Sequence, residues 1–248
     1  MNEVAIVTGA SRGIGAAIAE RLAAKGFMVL VNHRASADEA ARVVAAIRAA
    51  GGRAEAIAAD VAGEPGVLHL FQSADCHGRL ALLVNNAAYF GRVGRRVENV
   101  DAQTLERVFA TNAVGVFLCC REAVRRMSTR SGGTGGRILN ISSTAAGRGS
   151  ANDWVDYAAS KAAVDTLTRG LALEMAADGV RVNALAAGLT DTDSHARAGL
   201  PERVRLMSPK VPLGRAASVA EIADTALWLL TQAPDFMTGS VVPVSGGF

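Results

Sequence analysis

Two hydrophobic patterns alternate along the chain. Short, nearly continuous apolar runs recur at residues 4–7, 27–31, 54–58, 80–84, 137–141, 180–186 and 241–244. Runs of this length, aliphatic at almost every position, suit strands buried on both faces. Longer stretches between them, at 14–25, 37–50, 66–77, 104–130, 157–177 and 220–231, carry helical periodicity. Gly51 and Gly52 stop the second of these. The stretch 104–130 reads as one long helical region bent near Asn112. An asparagine among apolar residues needs hydrogen-bond partners, so Asn112 is either a structural tie or part of a polar relay. Residues 131–136 form a glycine-rich turn without the GKS or GKT of a P-loop. Residues 188–215 are polar and irregular, carry Pro201, Pro209 and Pro212, and follow a strand end, as a lid over a pocket would. Strands alternating with helices, with no repeat and no linker, predict one domain over 1–248. Its architecture is α/β, a doubly wound parallel sheet of about seven strands, with the ligand outside the strand C-terminal ends.

Composition narrows this picture. At 248 residues the chain can bury a sizeable core. Half of its residues are hydrophobic and only 4% aromatic, so that core is built from Ala, Val, Leu and Ile. The formal charge of +3 is mild and the arginines are scattered, which disfavours nucleic acid as a partner. Cys76, Cys119 and Cys120 are odd in number and lack CxxC spacing. That pattern opposes a disulfide framework and a metal site, and it suits a reducing, cytoplasmic setting. Met1 leads straight into the first strand with no basic n-region or apolar h-region, and no apolar run reaches transmembrane length. No signal peptide and no membrane partner are expected.

The candidate chemistry begins after the first strand. Gly9, Gly13 and Gly15 in GxxxGxG spacing open a helix, a strand–turn–helix arrangement that cradles phosphate. Gly9 permits the turn, Gly13 lets a ligand approach the backbone, and Gly15 lets helix and strand pack closely. The same residues spell GxSxG, the elbow of α/β-hydrolases, but no HGGG-like segment precedes them, and His195 is the only histidine in the second half of the chain. The second strand ends in Asn32-His33-Arg34 with no acid until Asp38, a helix N-terminal residue. In a dinucleotide fold this end meets the adenosine ribose, where an acid favours NAD and an arginine accommodates the 2′-phosphate of NADP. Arg34, with Arg12 in the glycine loop, therefore points to NADP(H), with NAD(H) the second choice. Tyr157 and Lys161 stand four apart on a helix and share a face. A cation held beside a phenol favours the phenolate and lowers its pKa from about 10, giving a proton donor and acceptor near neutral pH.

Several motifs then coincide in order. Thr8-Gly9 with Gly13 and Gly15, Asp60-Val61, Asn85-Asn86-Ala87, Asn112, Ser143, and Tyr157 with Lys161 follow one another along the chain. In these the chain resembles the short-chain dehydrogenase/reductase family over nearly its whole length, most closely its bacterial oxoacyl-carrier-protein reductase-like and sugar-dehydrogenase-like members. The resemblance implies a Rossmann-type fold and a reaction between a small-molecule carbonyl and a secondary alcohol. It implies a catalytic set of Asn112, Ser143, Tyr157 and Lys161 and no metal. By the same resemblance the cofactor meets Gly9, Ser11, Arg12, Gly13, Ile14, Gly15, Arg34, Asp60, Val61, Asn86 and Ala87, and also Tyr157, Lys161, Gly188, Thr190 and Thr192. Ser143 would bond the substrate oxygen and Tyr157 would protonate it. Lys161 would bind the nicotinamide ribose, and Asn112 would help hold a water leading to solvent. Homotetramers built on the helices 104–130 and 157–177 are implied as well.

Three departures qualify the match. Ala88 stands where the family usually has Gly, and Ala187 where it usually has Pro. The interval from Ser143 to Tyr157 is one residue longer than usual, so Ser142 and Thr144 remain alternatives for the catalytic hydroxyl. A cofactor sensor or scaffold on the same fold is the non-enzyme alternative, and such a protein would be expected to lose the tyrosine or the lysine. The substrate is left to the loops 89–100 and 188–215. Arg92, Arg95 and Arg96 in the first of these would suit an anion, although a solvated charged loop explains them more simply.

Overall fold

The structure is a computed structural model that describes residues 2–91 and 94–248. Seven strands form one sheet: β1 (Glu3–Val7), β2 (Met28–His33), β3 (Arg53–Ala58), β4 (Arg79–Asn85), β5 (Gly136–Ser143), β6 (Val180–Ala187) and β7 (Val241–Val244). Their spatial order is β3-β2-β1-β4-β5-β6-β7, and every pairing is parallel. The order reverses beside β1, where Val7 pairs with Val31 on one side and Val84 on the other. A crevice opens outside the strand C-terminal ends at such a point, and ligands of doubly wound sheets bind there.

The helices are α1 (Gly13–Ala24), α2 (Ala37–Ala49), α3 (Glu64–Asp75), α4 (Ala102–Phe109), α5 (Gly115–Met127), α6 (Ala145–Arg148), α7 (Val155–Met175), α8 (Ser194–Arg197), α9 (Arg203–Met207) and α10 (Val219–Thr231). Side chains alternate across a strand, so β1 feeds two cores. Ala5 and Val7 pack with Ile18, Leu22, Ile47 and Ile222 from α1, α2 and α10. Val4 and Ile6 pack with Phe71, Val116 and Val164 from α3, α5 and α7. Each such buried aliphatic or aromatic side chain contributes about 1.5–3 kcal/mol.

The long helical region expected at 104–130 is broken. A single π-turn, Ala110–Val114, separates α4 from α5 and contains Asn112, and α5 ends at Met127. The segment expected to be irregular, 188–215, holds α8, α9 and a short 3-10 turn at Ser208–Lys210. Among the described residues no helix is long and apolar enough to cross a membrane.

Candidate active site

A cleft of about 590 Å³ runs over the C-terminal ends of β1, β2, β4, β5 and β6. Its floor is fixed by polar ties between strand ends. The Thr8 hydroxyl accepts from the backbone N–H of Asn86 at 2.9 Å and of Ala87 at 3.0 Å. Asn86 Nδ2 donates to the Thr8 and Gly9 carbonyls. Asn32 accepts from the Gly9 N–H and donates to the carbonyls of Ile57 and Ala59. The ends of β1, β2, β3 and β4 are thereby locked around the glycine turn.

The glycines have steric reasons. Gly9 has φ of +62°, and a Cβ there would lie 2.8 Å from Ala87 Cα. At Gly15 a Cβ would meet Asn86 Nδ2 at 2.5 Å, so this residue closes the turn from behind while Gly13 faces the cleft. A dinucleotide fits this cradle. The N-terminus of α1 offers free N–H groups toward the cleft, beside Ser11, Arg12 and Ile14. Arg34, Asp60, Val61, Asn86 and Ala87 continue the lining, as do Gly188, Thr190 and Thr192 after β6.

At the end of β2 the structure corrects the expectation that no acid competes. Arg12 donates to the Glu39 carboxylate and to the Ser36 hydroxyl, and Arg197 from α8 donates to Glu39 at 2.7 Å. Burial pushes the Glu39 pKa up, but its bonds from Ser36 and Arg12 outweigh that, and the carboxyl sits below its ordinary value. Asp60 behaves alike. Burial raises it, while Arg107 at 2.7 Å and the Ala62 N–H at 3.0 Å together lower it. Arg34 lies exposed in the cleft wall with no carboxylate bound to it among the described residues.

The other end of the cleft holds the hydroxyl and amine groups. Ser142 and Ser143 end β5 on opposite faces. The Ser143 hydroxyl faces Tyr157 and tempers its pKa, whereas Ser142 faces Asp165 on α7. The Ser143 Oγ also accepts from the Ala145 N–H at 3.1 Å. Thr144 caps α6. Tyr157 and Lys161 share one face of α7, with Lys161 Nζ 5.8 Å from the Tyr157 ring centre.

The expected lowering of the phenol pKa is not found. Burial dominates and pushes Tyr157 up to about 12, against the bond from Ser143. Lys161 Nζ donates instead to the Ile141 carbonyl at 2.7 Å. Burial pulls its pKa down to about 8, and the nearby Asp165 charge only partly counters this. Asn112 stands behind the cleft wall as a tie. Its amide donates to the Tyr89 carbonyl and the Ser160 hydroxyl and accepts from the Tyr89 N–H at 2.7 Å. Arg95 is buried against Asp156, so it is not available to an anion, and Arg96 is an exposed residue that pairs with Glu98. Arg92 lies outside the described residues.

Comparison with known proteins agrees with this geometry. A family described as enoyl-(acyl carrier protein) reductase matches residues 9–248. The uncharacterized oxidoreductase YgfF of Escherichia coli K12 is 45% identical, over 98% of this chain and 99% of that protein. The chain belongs to the short-chain dehydrogenase/reductase family. The cis-4-hydroxycyclohexanecarboxylate dehydrogenase of Sinomonas cyclohexanicum is 40% identical over 99% of this chain and 96% of its own length. The structure of the angucycline C-6 ketoreductase LanV with bound NADP superposes with a TM-score of 0.89 at 33% identity, over 99% of this chain and 95% of that one. Membership in the short-chain dehydrogenase/reductase family leaves no place for the hydrolase elbow.

Sequence reasoning missed several residues that line this cleft, Arg107 at the β2 end and Phe90, Arg148, Trp154, Arg203 and Phe248 elsewhere, and also Glu39, which holds the lining residue Arg12. Glu39 offered one signal. It lies five residues after Arg34, in the first turn of α2, close enough to turn back to the strand end.

Proposed function

We propose that the chain is an NADP(H)-dependent oxidoreductase that interconverts a small-molecule carbonyl and a secondary alcohol. One observation carries this reading. The Tyr157 phenol, the Ser143 hydroxyl and the Lys161 amine meet in the same cleft as the glycine turn. When bound, the nicotinamide supplies or accepts the hydride, so that a carbonyl, one hydride and one proton balance to an alcohol.

The chain's own groups handle the oxygen and its proton. With a pKa near 12, Tyr157 keeps its proton at neutral pH and gives it to the oxygen as alkoxide charge develops. Ser143 donates a second hydrogen bond to that oxygen. Lys161 meets the nicotinamide ribose, and its ammonium favours the phenolate when the proton has left. Asn112 acts through others, by fixing the Tyr89 backbone and the Ser160 hydroxyl, which donates to the Tyr157 carbonyl at 2.7 Å. At the other end Gly9, Gly13 and Gly15 give the pyrophosphate its approach. Arg34 and Arg12 meet the 2′-phosphate, and Asp60 and Val61 meet the adenine. The bound NADP of the LanV structure supports the cofactor choice. A turnover screen with NADPH and NADH against ketones, sugars and oxoacyl thioesters tests the whole reading, and it fails if no carbonyl is reduced with either.

Assembly belongs to the same proposal. Val114 at the end of the π-turn, Phe117 on α5 and Leu173 on α7 are 50%, 60% and 83% exposed, an apolar set that supports a homotetramer built through these helices. Light scattering at micromolar concentration tests it, and a monomer there would exclude it.

A further inference from the structure

Beyond Tyr157 the cleft wall is aromatic. The Phe90 ring stacks on the Tyr157 ring with centroids 4.8 Å apart, and Trp154 leans on both at 5.6 and 5.4 Å. From α8 the His195 imidazole lies nearly parallel to Trp154, 6.2 Å away. Burial first, and then the Arg203 charge, hold the His195 pKa below its ordinary value, so this ring is neutral near pH 7. Four aromatic rings from three separate segments therefore cluster next to the phenol, and all four residues line the cleft. Flat hydrocarbon faces take up a ring far better than a flexible chain, because a ring brings apolar area without losing rotamers.

Charge at the same end is uneven. Arg203 is committed, with Nη1 donating to Asp153 at 3.1 Å and its guanidinium 4.2 Å over Trp154. Arg148 is not. It ends α6, five residues after Ser143, is exposed, and lines the cleft. Its guanidinium lies 3.5 Å over the Phe248 ring. Among the described residues it has no carboxylate partner, unlike Arg12, Arg107 and Arg203, which have Glu39, Asp60 and Asp153. The ring face below it holds its plane and leaves the edge N–H fork open.

We infer that the substrate is a ring ketone, or the matching ring alcohol, that carries an anionic group. Its ring lies against Phe90 and Trp154, its oxygen reaches Tyr157 and Ser143, and its anion reaches Arg148. This rests on the oxidoreductase reading and adds the substrate class to it. A carboxylate accepts two parallel bonds from a guanidinium, which fixes orientation as well as affinity.

The test uses the full chain with NADPH and four carbonyls: 4-oxocyclohexanecarboxylate, its ethyl ester, cyclohexanone and the open-chain 4-oxopentanoate. The ring keto acid is expected to exceed both its ester and the open-chain acid in kcat/KM by about tenfold, the lower end for a charge-assisted bond at a wetted rim. Arg148→Gln should bring the acid-to-ester ratio close to one, through KM rather than kcat. An acid-to-ester ratio near one in the wild type, a ratio untouched by Arg148→Gln, or equal turnover of the open-chain acid would overturn the inference while leaving the oxidoreductase reading intact. Calorimetric titration with unreactive benzoate in the presence of NADP+ reads the anion site without turnover. The wild type should bind about tenfold more tightly than Arg148→Gln, and equal binding would count against the inference. Failure to reduce any of these or other carbonyls with NADPH or NADH would instead sink the oxidoreductase reading.

Discussion

Arg12 in the glycine turn and Glu39 on α2 form an ion pair at the end of β2, with Ser36 accepting from the same guanidinium. One cation of the expected phosphate site is thus shared with an acid. Arg34 remains, exposed and facing the cleft. A charge-assisted contact from it to a 2′-phosphate contributes about 1.5–3 kcal/mol, and exposure favours the lower half of that range. NADPH should therefore be preferred over NADH by about tenfold, less at high salt. Glu39→Gln frees Arg12 and should widen the preference. Arg34→Asp should reverse it, since an acid repels the phosphate and accepts from a free ribose hydroxyl. KM values for both cofactors in the three proteins decide this, and a wild type that uses NADH equally well would show that Arg34 serves the solvent alone.

How much of this site was legible follows from how local its signals are. The glycine turn is written within seven residues, Gly9 to Gly15, because backbone sterics demand glycine there. Strand and helix periods located β1 through β7 to within a few residues, and the order of motifs along the chain named the family. What the spacing of Tyr157 and Lys161 could not reveal was burial. The same helix face that brings them together also removes them from water, so both pKa values move the opposite way from a simple attraction. The aromatic wall was equally hidden. Phe90, Trp154 and His195 come from three distant segments, and nothing in the sequence around each announces the others. Glu39 was passed over because its helix reads as an ordinary solvated one.

Removing the phenol oxygen isolates the proton step. Tyr157→Phe keeps the ring that stacks on Phe90 and Trp154, so the melting temperature should stay close to wild type. Turnover should fall by at least about two orders of magnitude, the usual worth of a positioned acid. A variant that retained more than about a tenth of wild-type kcat on a good carbonyl would exclude Tyr157 as the donor.

Stability should carry the mark of the buried amine. Folded Lys161 titrates at about 8, whereas its ordinary value is 10.5. Between those pH values the unfolded chain binds more protons than the folded one, so this group makes stability rise with pH across that window. Above pH 10 Tyr157 acts the other way. The folded phenol holds its proton to about 12 while the unfolded one loses it near 10, and stability falls. Urea unfolding from pH 7.5 to 10.5 should show the wild type gaining up to about 3 kcal/mol relative to Lys161→Met. A constant difference between the two proteins would mean that the amine stays solvated.

Arg95 and Asp156 form the most deeply buried ion pair among the described residues, with side chains 8% and 4% exposed. It joins the segment after β4 to the first turn of α7, directly beside Tyr157. The Gly94 and Arg95 N–H groups reinforce it by donating to the Asp153 carbonyl at 3.1 and 3.2 Å. Arg95 Nε and Nη1 and Asp156 Oδ1 find no partner, so the pair is incompletely satisfied and either charge alone would be stranded. Asp156→Ala should cost about 3–5 kcal/mol, while Arg95→Leu together with Asp156→Leu should recover most of that loss. The catalytic consequence differs from the stability one. Without the pair, Phe90 loses its anchor on α7 and with it the stack on Tyr157, so the double variant should fold yet bind its substrate with a raised KM. Denaturant unfolding and steady-state kinetics on the same three proteins separate the two effects. An Asp156→Ala protein as stable as the wild type would mean that water reaches Arg95 and that the pair holds nothing in place.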